Sequence, residues 1–203
     1  LVRRIVKEHK RILFNGNGYT DEWVAEAERR GLWNLKSTPE AVSHFLDEKN
    51  IKLFTDHHIF SPEEMRARHD ILLENYSKAI QLEGRTMAEM MHKDFLPALL
   101  AHTADTARAV REKESLGLST ACDRKLLKTL ADLYESITAD TEKLSAALAE
   151  CPSHEDLQQL ADFCHDSVLG CLEEVRVSAD QAEALIPDHL LPYPTYDTLL
   201  FSV

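Results

Sequence analysis

Residues 123–150, DRKLLKTLADLYESITADTEKLSAALAE, and residues 154–186, HEDLQQLADFCHDSVLGCLEEVRVSADQAEALI, decide the fold. In the first, Leu126, Leu130, Leu133, Ile137, Leu144 and Ala147 recur at alternating steps of four and three, broken only at Asp140. In the second, Leu157, Ala161, Cys164, Val168, Cys171, Val175, Ala182 and Leu185 do the same, with Ser178 as the polar exception. This spacing lays an apolar stripe along one side of a helix and favours near-parallel packing of long helices. Cys151-Pro152-Ser153 is a tight connector, so the two helices are expected to be antiparallel neighbours. Gly170 reads as a tolerated weak point rather than a close helix contact.

Working upstream, Ser61-Pro62-Glu63-Glu64 carries a Ser cap, Pro in the first turn and a Glu three residues on, the pattern of a capping box. The helix it opens is expected to gather Leu72, Tyr76, Ala79 and Ile80 on one face, with Gly84 weakening its middle. Its continuation carries Met87, Met90, Met91, Phe95, Leu99 and Leu100, and Pro97 predicts a kink there. The first sixty residues read as short pieces. Residues 1–13 form the end of an amphipathic helix, and Asn15-Gly16-Asn17-Gly18 ends it with residues that tolerate positive φ. Thr20 caps a helix to Arg30 that Gly31 closes. Ser37-Thr38-Pro39 starts another, running to about Lys49, while Ile51–Phe54 reads as extended.

The expected fold class is all-α: a long antiparallel helix bundle preceded by short helices, with an extended Pro/Tyr-rich C-terminal tail. That tail, Pro187–Val203, holds three of the seven prolines together with Tyr193, Tyr196, Leu199, Leu200 and Phe201. A segment so apolar is expected to dock, either on its own chain or on a neighbouring subunit.

Composition sets the outer limits. At 203 residues the chain is one domain, or one domain with an appendage. With 44% hydrophobic and 29% charged residues it is neither disordered nor collagen-like, and six Gly and seven Pro leave few breaks in long helices. No apolar run approaches the roughly 20 residues of a membrane span. The chain opens Leu1-Val2-Arg3-Arg4-Ile5-Val6, without an initiator Met or a signal peptide, which reads as a piece of a longer polypeptide.

The net charge of −12 is concentrated in residues 101–203, where 8 Lys and Arg face 19 Asp and Glu, so general nucleic-acid binding is not expected. Arg3, Arg4, Lys7, Lys10 and Arg11 form a local basic cluster. It reads as a solvated helix face, with phosphate or an acidic partner as the other possibility. Cys122, Cys151, Cys164 and Cys171 make no metal-binding spacing and are expected as buried free thiols in a reducing cytoplasm.

The chain contains no phosphate-binding GxxxxGK[ST] loop, GxGxxG, HExxH or GxSxG motif. Asn15–Gly18 follows a helix and lacks a Lys or Ser placed for phosphate, so it reads as a plain turn. Glu89…His92 and Asp162…His165 are E-x-x-H and D-x-x-H steps of the kind used in ferritin-like di-iron bundles. The second has the shorter Asp, and no lone Glu stands at an apolar core position on the other helices. His57-His58 points two ways from one backbone and reads as a pair of loop histidines. No catalytic, cofactor-binding or metal residue is therefore assigned. A stand-alone helical adaptor and a di-iron bundle remain as alternatives.

One more pattern is longer. Val6-Lys7-Glu8-His9-Lys10-Arg11-Ile12-Leu13-Phe14-Asn15-Gly16-Asn17-Gly18-Tyr19, followed by Glu22-Trp23 and Glu26-Ala27-Glu28-Arg29-Arg30-Gly31-Leu32, resembles the segment after the catalytic core in type III glutamine synthetases. The resemblance continues through Asn34-Leu35-Lys36-Ser37-Thr38-Pro39, Glu48-Lys49-Asn50-Ile51-Lys52-Leu53-Phe54 and Arg68 to Tyr76. It returns at Pro192-Tyr193-Pro194-Thr195-Tyr196 and Leu199-Leu200-Phe201. Residues 1–97 and 187–203 carry the motif identity; the stretch between matches mainly in length and helical texture.

The resemblance implies a parent enzyme that joins ammonia to glutamate through a γ-glutamyl phosphate, using ATP and Mg (or Mn) held in a catalytic domain upstream of Leu1. It implies a cytoplasmic dodecamer of two stacked hexameric rings. The partners would be the chain's own catalytic domain and neighbouring subunits, with no nucleic acid and no membrane. On that basis residues 1–60 would be the end of the catalytic domain and a connector of short helices. Residues 61–187 would be the type-specific helical bundle, and 188–203 the docking tail.

Overall fold

A computed structural model describes residues 1–153, 155–194 and 196–201. Among these the secondary structure is helical, with no β-strand. Four short helices come first: α1 (Val2–Glu8), α2 (Asp21–Arg29), α3 (Thr38–Ser43) and α4 (Glu48–Asp56). Three long rods follow. The first runs through α5 (Pro62–Met90), a π-helical turn (Met91–Phe95) and α6 (Leu96–Ser115). The second is α7 (Ala121–Ala149). The third comprises α8 (Leu157–Phe163), a second π-helical turn (Cys164–Leu169) and α9 (Gly170–Glu183). Helix α7 packs on α6, on α5 and on α9, while α8 and its π turn lie against α5.

The seams read from the sequence are the ones that pack, except that Leu185 at the end of the second is exposed. Leu130, Ile137 and Leu144 of α7 and Leu160, Cys164, Val168 and Val175 of the third rod have no exposed surface. They join Met91, Phe95 and Leu99 of the first rod in one core cluster. Each fully buried Leu, Ile or Val stabilises by about 1.5–3 kcal/mol, so this shared core outweighs any surface pair. The two interruptions in the seams meet each other. Ser178 donates to Asp140 at 3.0 Å and lies 3.1 Å from the Ser136 hydroxyl. A buried hydroxyl and a seam carboxylate thus satisfy one another and mark one register between α7 and α9.

The capping box works as spelled, whereas the Thr20 hydroxyl makes no cap bond to α2 and donates to the Asn17 carbonyl at 3.0 Å instead. Glu64 donates its backbone N–H to the Ser61 hydroxyl at 3.2 Å, and Ser61 returns its own to the Glu64 carboxylate at 2.8 Å. Between α6 and α7 the turn uses Gly117 at φ 69°, and Gly31 ends α2 with the same φ. Lys113 grips Asp123 across that turn at 2.8 Å, while Glu114 accepts from Arg124 at 2.6 Å and from Thr120 at 3.0 Å.

Several local expectations are corrected. The helix from Ser37 stops at Ser43 instead of Lys49, and Ile51–Phe54 is helical within α4. The break is stabilised by Asn50, whose side-chain amide donates to the His44 carbonyl at 2.8 Å. Neither Gly16 nor Gly18 takes positive φ; the turn is held instead by the Asn17 side chain accepting from the Tyr19 N–H at 3.1 Å. On α5, Leu72 and Ala79 face solvent, and the buried face is Leu73, Ser77, Ile80, Gln81, Gly84 and Ala88. Ser77 manages burial by donating to the Leu73 carbonyl. Cys122 is exposed and Cys151 half-buried, leaving Cys164 and Cys171 as the buried thiols.

Pro97 does not simply kink the helix. The π turn immediately before it widens the backbone where the proline ring would otherwise crowd the preceding turn, and the rod continues. The chain after α9 returns to this point. Leu190 and Leu191 pack on the core, and the Tyr193 hydroxyl donates to Asp94 at 2.7 Å and reaches the Met90 carbonyl at 3.5 Å. Burial and the neighbouring carboxylate push the Tyr193 phenol up to about 12. Residues 196–201 form a short helix, α10 (Tyr196–Phe201); His154, Thr195, Ser202 and Val203 lie outside the described residues.

The two helical glycines behave oppositely. A Cβ at Gly84 would sit 3.1 Å from Leu148 and 3.3 Å from Val168, whereas one at Gly170 would meet nothing within 4 Å. Gly84 is the close-packing position, and Gly170 the tolerated one. Gly170→Ala is expected to stabilise the chain by about 0.5–1 kcal/mol. Gly84→Leu is expected to destabilise it by about 1–3 kcal/mol through overpacking. Urea unfolding followed by circular dichroism measures both; a Gly84→Leu chain as stable as the parent would refute the close contact.

Candidate functional site

The most built-up polar arrangement lies in the loop between α1 and α2. Phe14 folds its ring back over Gly16, where an added Cβ would stand 2.6 Å from the ring, so only glycine allows the tuck. The ring then stacks on Trp23 of α2, with centroids 4.5 Å apart. Arg30 spreads over both rings at 5.9 and 6.0 Å, in cation–π range. Its guanidinium also donates to the backbone carbonyls of Leu13 and Arg11, the latter at 3.1 Å, and to Glu26 at 2.5 Å. One arginine therefore ties the loop's backbone to the helix and roofs its aromatic pair.

Glu26 binds a second arginine. Arg29 reaches it through two nitrogens, at 2.7 and 2.6 Å, in a fork matched to a carboxylate. The hydrogen bonds from Arg29, then those from Arg30, hold the Glu26 carboxyl down at about 2. It stays ionised and is shared by two cations.

Lys10 and Arg11 complete the picture. With Leu13, Phe14, Asn15, Arg29 and Arg30 they line a cleft of about 750 Å³. Four cationic residues line this cleft, two of them sharing the Glu26 carboxylate, in a protein whose net charge is −12. Among the described residues, the side chains of Lys10 and Arg11 form no ion pair, while Arg4 on α1 pairs with Glu8 at 3.7 Å. Of the basic cluster seen in the sequence, then, Lys10 and Arg11 converge with two arginines thirty residues into the chain. The sequence reading missed Arg29 and Arg30 as site residues. The signal was present in Glu26…Arg29-Arg30, a carboxylate with cations three and four residues on, which a helix places together.

The other candidates are dispersed. Glu89 and His92 are exposed on the outside of the first rod, where Glu89 pairs with Lys93. Asp162 accepts from Gln158 at 2.9 Å, and His165 pairs with its neighbour Asp166 at 2.8 Å. This second pair sits with Ser37, Glu40 and Ser43 in a shallow cleft between α3 and α8. Gln158 also bridges that cleft by donating to the Pro39 carbonyl at 3.2 Å. The two acid–histidine steps are not brought together, and among the described residues no group of three or more His, Cys, Asp or Glu side chains is placed to hold a metal ion. His57 and His58 occupy the exposed turn after α4, with His58 at φ 53°. No described helix is long and apolar enough to cross a membrane.

The loop, the clamp and nearly all of the first rod fall within the match to a known family. The sequence profile of the glutamine synthetase C-terminal domain matches residues 1–114. The chain belongs to that family. A glutamine synthetase of Butyrivibrio fibrisolvens is 42% identical over 208 residues and covers 100% of the chain. A type-3 glutamine synthetase of Dictyostelium discoideum is 33% identical across 99% of it, and a glutamine synthetase of Bacteroides fragilis (strain YCH46) is 27% identical across 98%. The chain spans only 28–30% of the length of these relatives. It is thus the C-terminal domain of a glutamine synthetase, matched at the end of larger proteins.

The Glu26 clamp gives this domain an acid-sensitive element. A carboxyl whose pKa falls on folding stabilises the fold fully above its ordinary value of 4.5 and loses that contribution as the pH drops through about 2. Glu26→Gln is expected to lower stability at neutral pH, with the gap to the parent closing between pH 4.5 and 2 in denaturant titrations. A gap that persists unchanged at pH 2 would place the effect in packing instead of charge.

Proposed function

We propose that this domain is the non-catalytic scaffold of a type III glutamine synthetase and serves the packing of subunits in the assembled enzyme. The type assignment is supported by the Dictyostelium discoideum type-3 relative, which aligns with 99% of the chain. The parent enzyme would make glutamine from glutamate and ammonia with ATP hydrolysis. ATP and Mg (or Mn) would be bound by its catalytic domain, residues 1–60 here serving as the end of that domain and a connector to the bundle, 61–187.

The observation that carries the packing role is the distribution of apolar surface. The three rods bury their seams against each other, yet Val2, Ile5 and Val6 of α1 and Leu200 and Phe201 of α10 stay exposed. Others stay exposed along the rods, among them Ile71, Leu82, Leu100 and Val177, and apolar surface left outside a self-sufficient core is what an assembling domain presents to its neighbours. The chain after α9 is anchored at Tyr193 on the first rod, shortly before α10. A dodecamer of two stacked rings, in the cytoplasm, is the assembly this reading entails.

Two measurements test it. Deleting residues 193–203 from the whole enzyme is expected to shift it to smaller assemblies by multi-angle light scattering, and an unchanged particle mass would count against the packing role. The 203-residue chain alone is expected to give no glutamine from glutamate, ammonia and ATP; measurable turnover would overturn the non-catalytic reading.

A further inference from the structure

The clamp explains the positions of Phe14, Trp23, Glu26 and Arg30, but it leaves Lys10 and Arg11 without an assignment. We propose that the cleft lined by Lys10, Arg11, Arg29 and Arg30 is a binding site for a small multivalent oxyanion, a polyphosphate or polycarboxylate.

Three observations converge on it. The first is charge. Four cations and one carboxylate leave an excess of positive charge that no described side chain neutralises, in a chain that is otherwise strongly acidic. Holding like charges together without a counter-charge is unfavourable, and a bound anion relieves it. The second is preorganisation. Arg30 is fixed by two backbone carbonyls, Glu26 and two aromatic rings, and Arg29 is forked onto Glu26. The ordering of the floor is already complete before a ligand arrives, so binding does not have to supply it. The third is shape. A cleft of about 750 Å³ lies within the range of about 300–1,000 Å³ usual for small-molecule sites, and Leu13 and Phe14 give it an apolar wall.

The arrangement favours a small ligand over an acidic protein segment because the four cations come from two separate stretches that line one cleft, Lys10 and Arg11 on a 3₁₀ turn and Arg29 and Arg30 at the end of α2. Arg3, Arg4 and Lys7, which do lie on α1, are not part of the lining. Guanidinium groups pair with phosphate and carboxylate oxygens alike, so the shared chemistry is two or more oxyanion charges within one ligand. The anion would be held by Lys10 and Arg11 from the segment after α1 and by Arg29 and Arg30 from the end of α2.

The roles of Arg11 separate cleanly. Its backbone carbonyl anchors Arg30, while its side chain takes no part in the clamp. The double substitution Lys10→Gln and Arg11→Gln therefore removes two cleft charges and leaves the clamp's acceptors in place. Isothermal titration of the chain at low ionic strength with pyrophosphate and, separately, with citrate is the experiment. At least one of the two is expected to bind saturably at one site per chain, and the double variant should weaken it about tenfold or more, with an unchanged thermal melt. Arg108→Gln, which alters a charge on α6 paired with Asp105, should leave binding unchanged.

Preference for pyrophosphate over citrate, or the reverse, assigns the ligand to the phosphate or the carboxylate class. Heat that scales with ionic charge and never saturates would overturn the proposal, as would a double variant that binds like the parent. A hexaglutamate peptide binding more tightly than either small anion would overturn it in favour of an acidic protein segment. None of these outcomes depends on whether the domain contributes to subunit packing, which is read by particle mass.

Discussion

Everything else in the molecule depends on α7 being buried from two sides. Leu130, Ile137 and Leu144 stand along one helix with no exposed surface, and each touches a core to which all three rods contribute. A single helix of 29 residues serves as the common partner of the other two rods, so the register of α7 sets the register of the bundle. Hydrophobic contact alone is tolerant of sliding by a turn. The Ser178–Asp140 hydrogen bond is not, because a slip would strand a seam carboxylate and a buried hydroxyl together. The apolar seam supplies most of the stability, and the polar pair selects one alignment.

The tips of the bundle are treated differently from its middle. The α6–α7 turn carries two ion pairs and a positive-φ glycine, a dense local fastening that keeps the two helices antiparallel where the core thins. At the other end the third rod leans on α3 as well as on α5, and the Gln158 amide reaches across to the Pro39 carbonyl. The short helices are thus not a loose preface. Residues 37–43 and the rods share a second cluster through Val42, Leu73 and Ala161.

What the amino-acid order makes legible follows from what kind of interaction holds each part. The seams of α7 and the third rod are apolar at nearly every contact position, so periodicity finds them, and it locates their polar breaks at Asp140 and Ser178. The face of α5 is hidden because Ser77, Gln81 and Gly84 occupy contact positions. Their burial is permitted by partners elsewhere: the Leu73 carbonyl for Ser77, Cys164 and Arg85 for Gln81, and the side chains of Leu148 and Val168 for the bare Cα of Gly84. The cleft is hidden for a related reason. Lys10 and Arg11 look like an ordinary charged face until the loop folds back, and that fold depends on Phe14, Gly16 and Arg30 acting jointly. Single-residue rules capture helices well and capture a three-body tuck poorly.

The π turn ahead of Pro97 carries a consequence for how the long rod tolerates change. A wider turn accommodates one residue more than a regular helix would over the same span, and each residue of an α-helix rotates the chain by about 100°. Removing a single residue between Met91 and Phe95 would let the backbone close up into an unbroken α-helix over the same span, so the half beyond Pro97 would keep nearly the same face toward α7. The cost would fall on Pro97, whose ring would then crowd a regular preceding turn. A residue removed from within α5 itself would instead rotate everything beyond it by about 100°, carrying Leu96 and Leu99 away from α7. The wide turn is thus a place where the long rod absorbs a one-residue change that its regular stretches would pass on to the whole bundle.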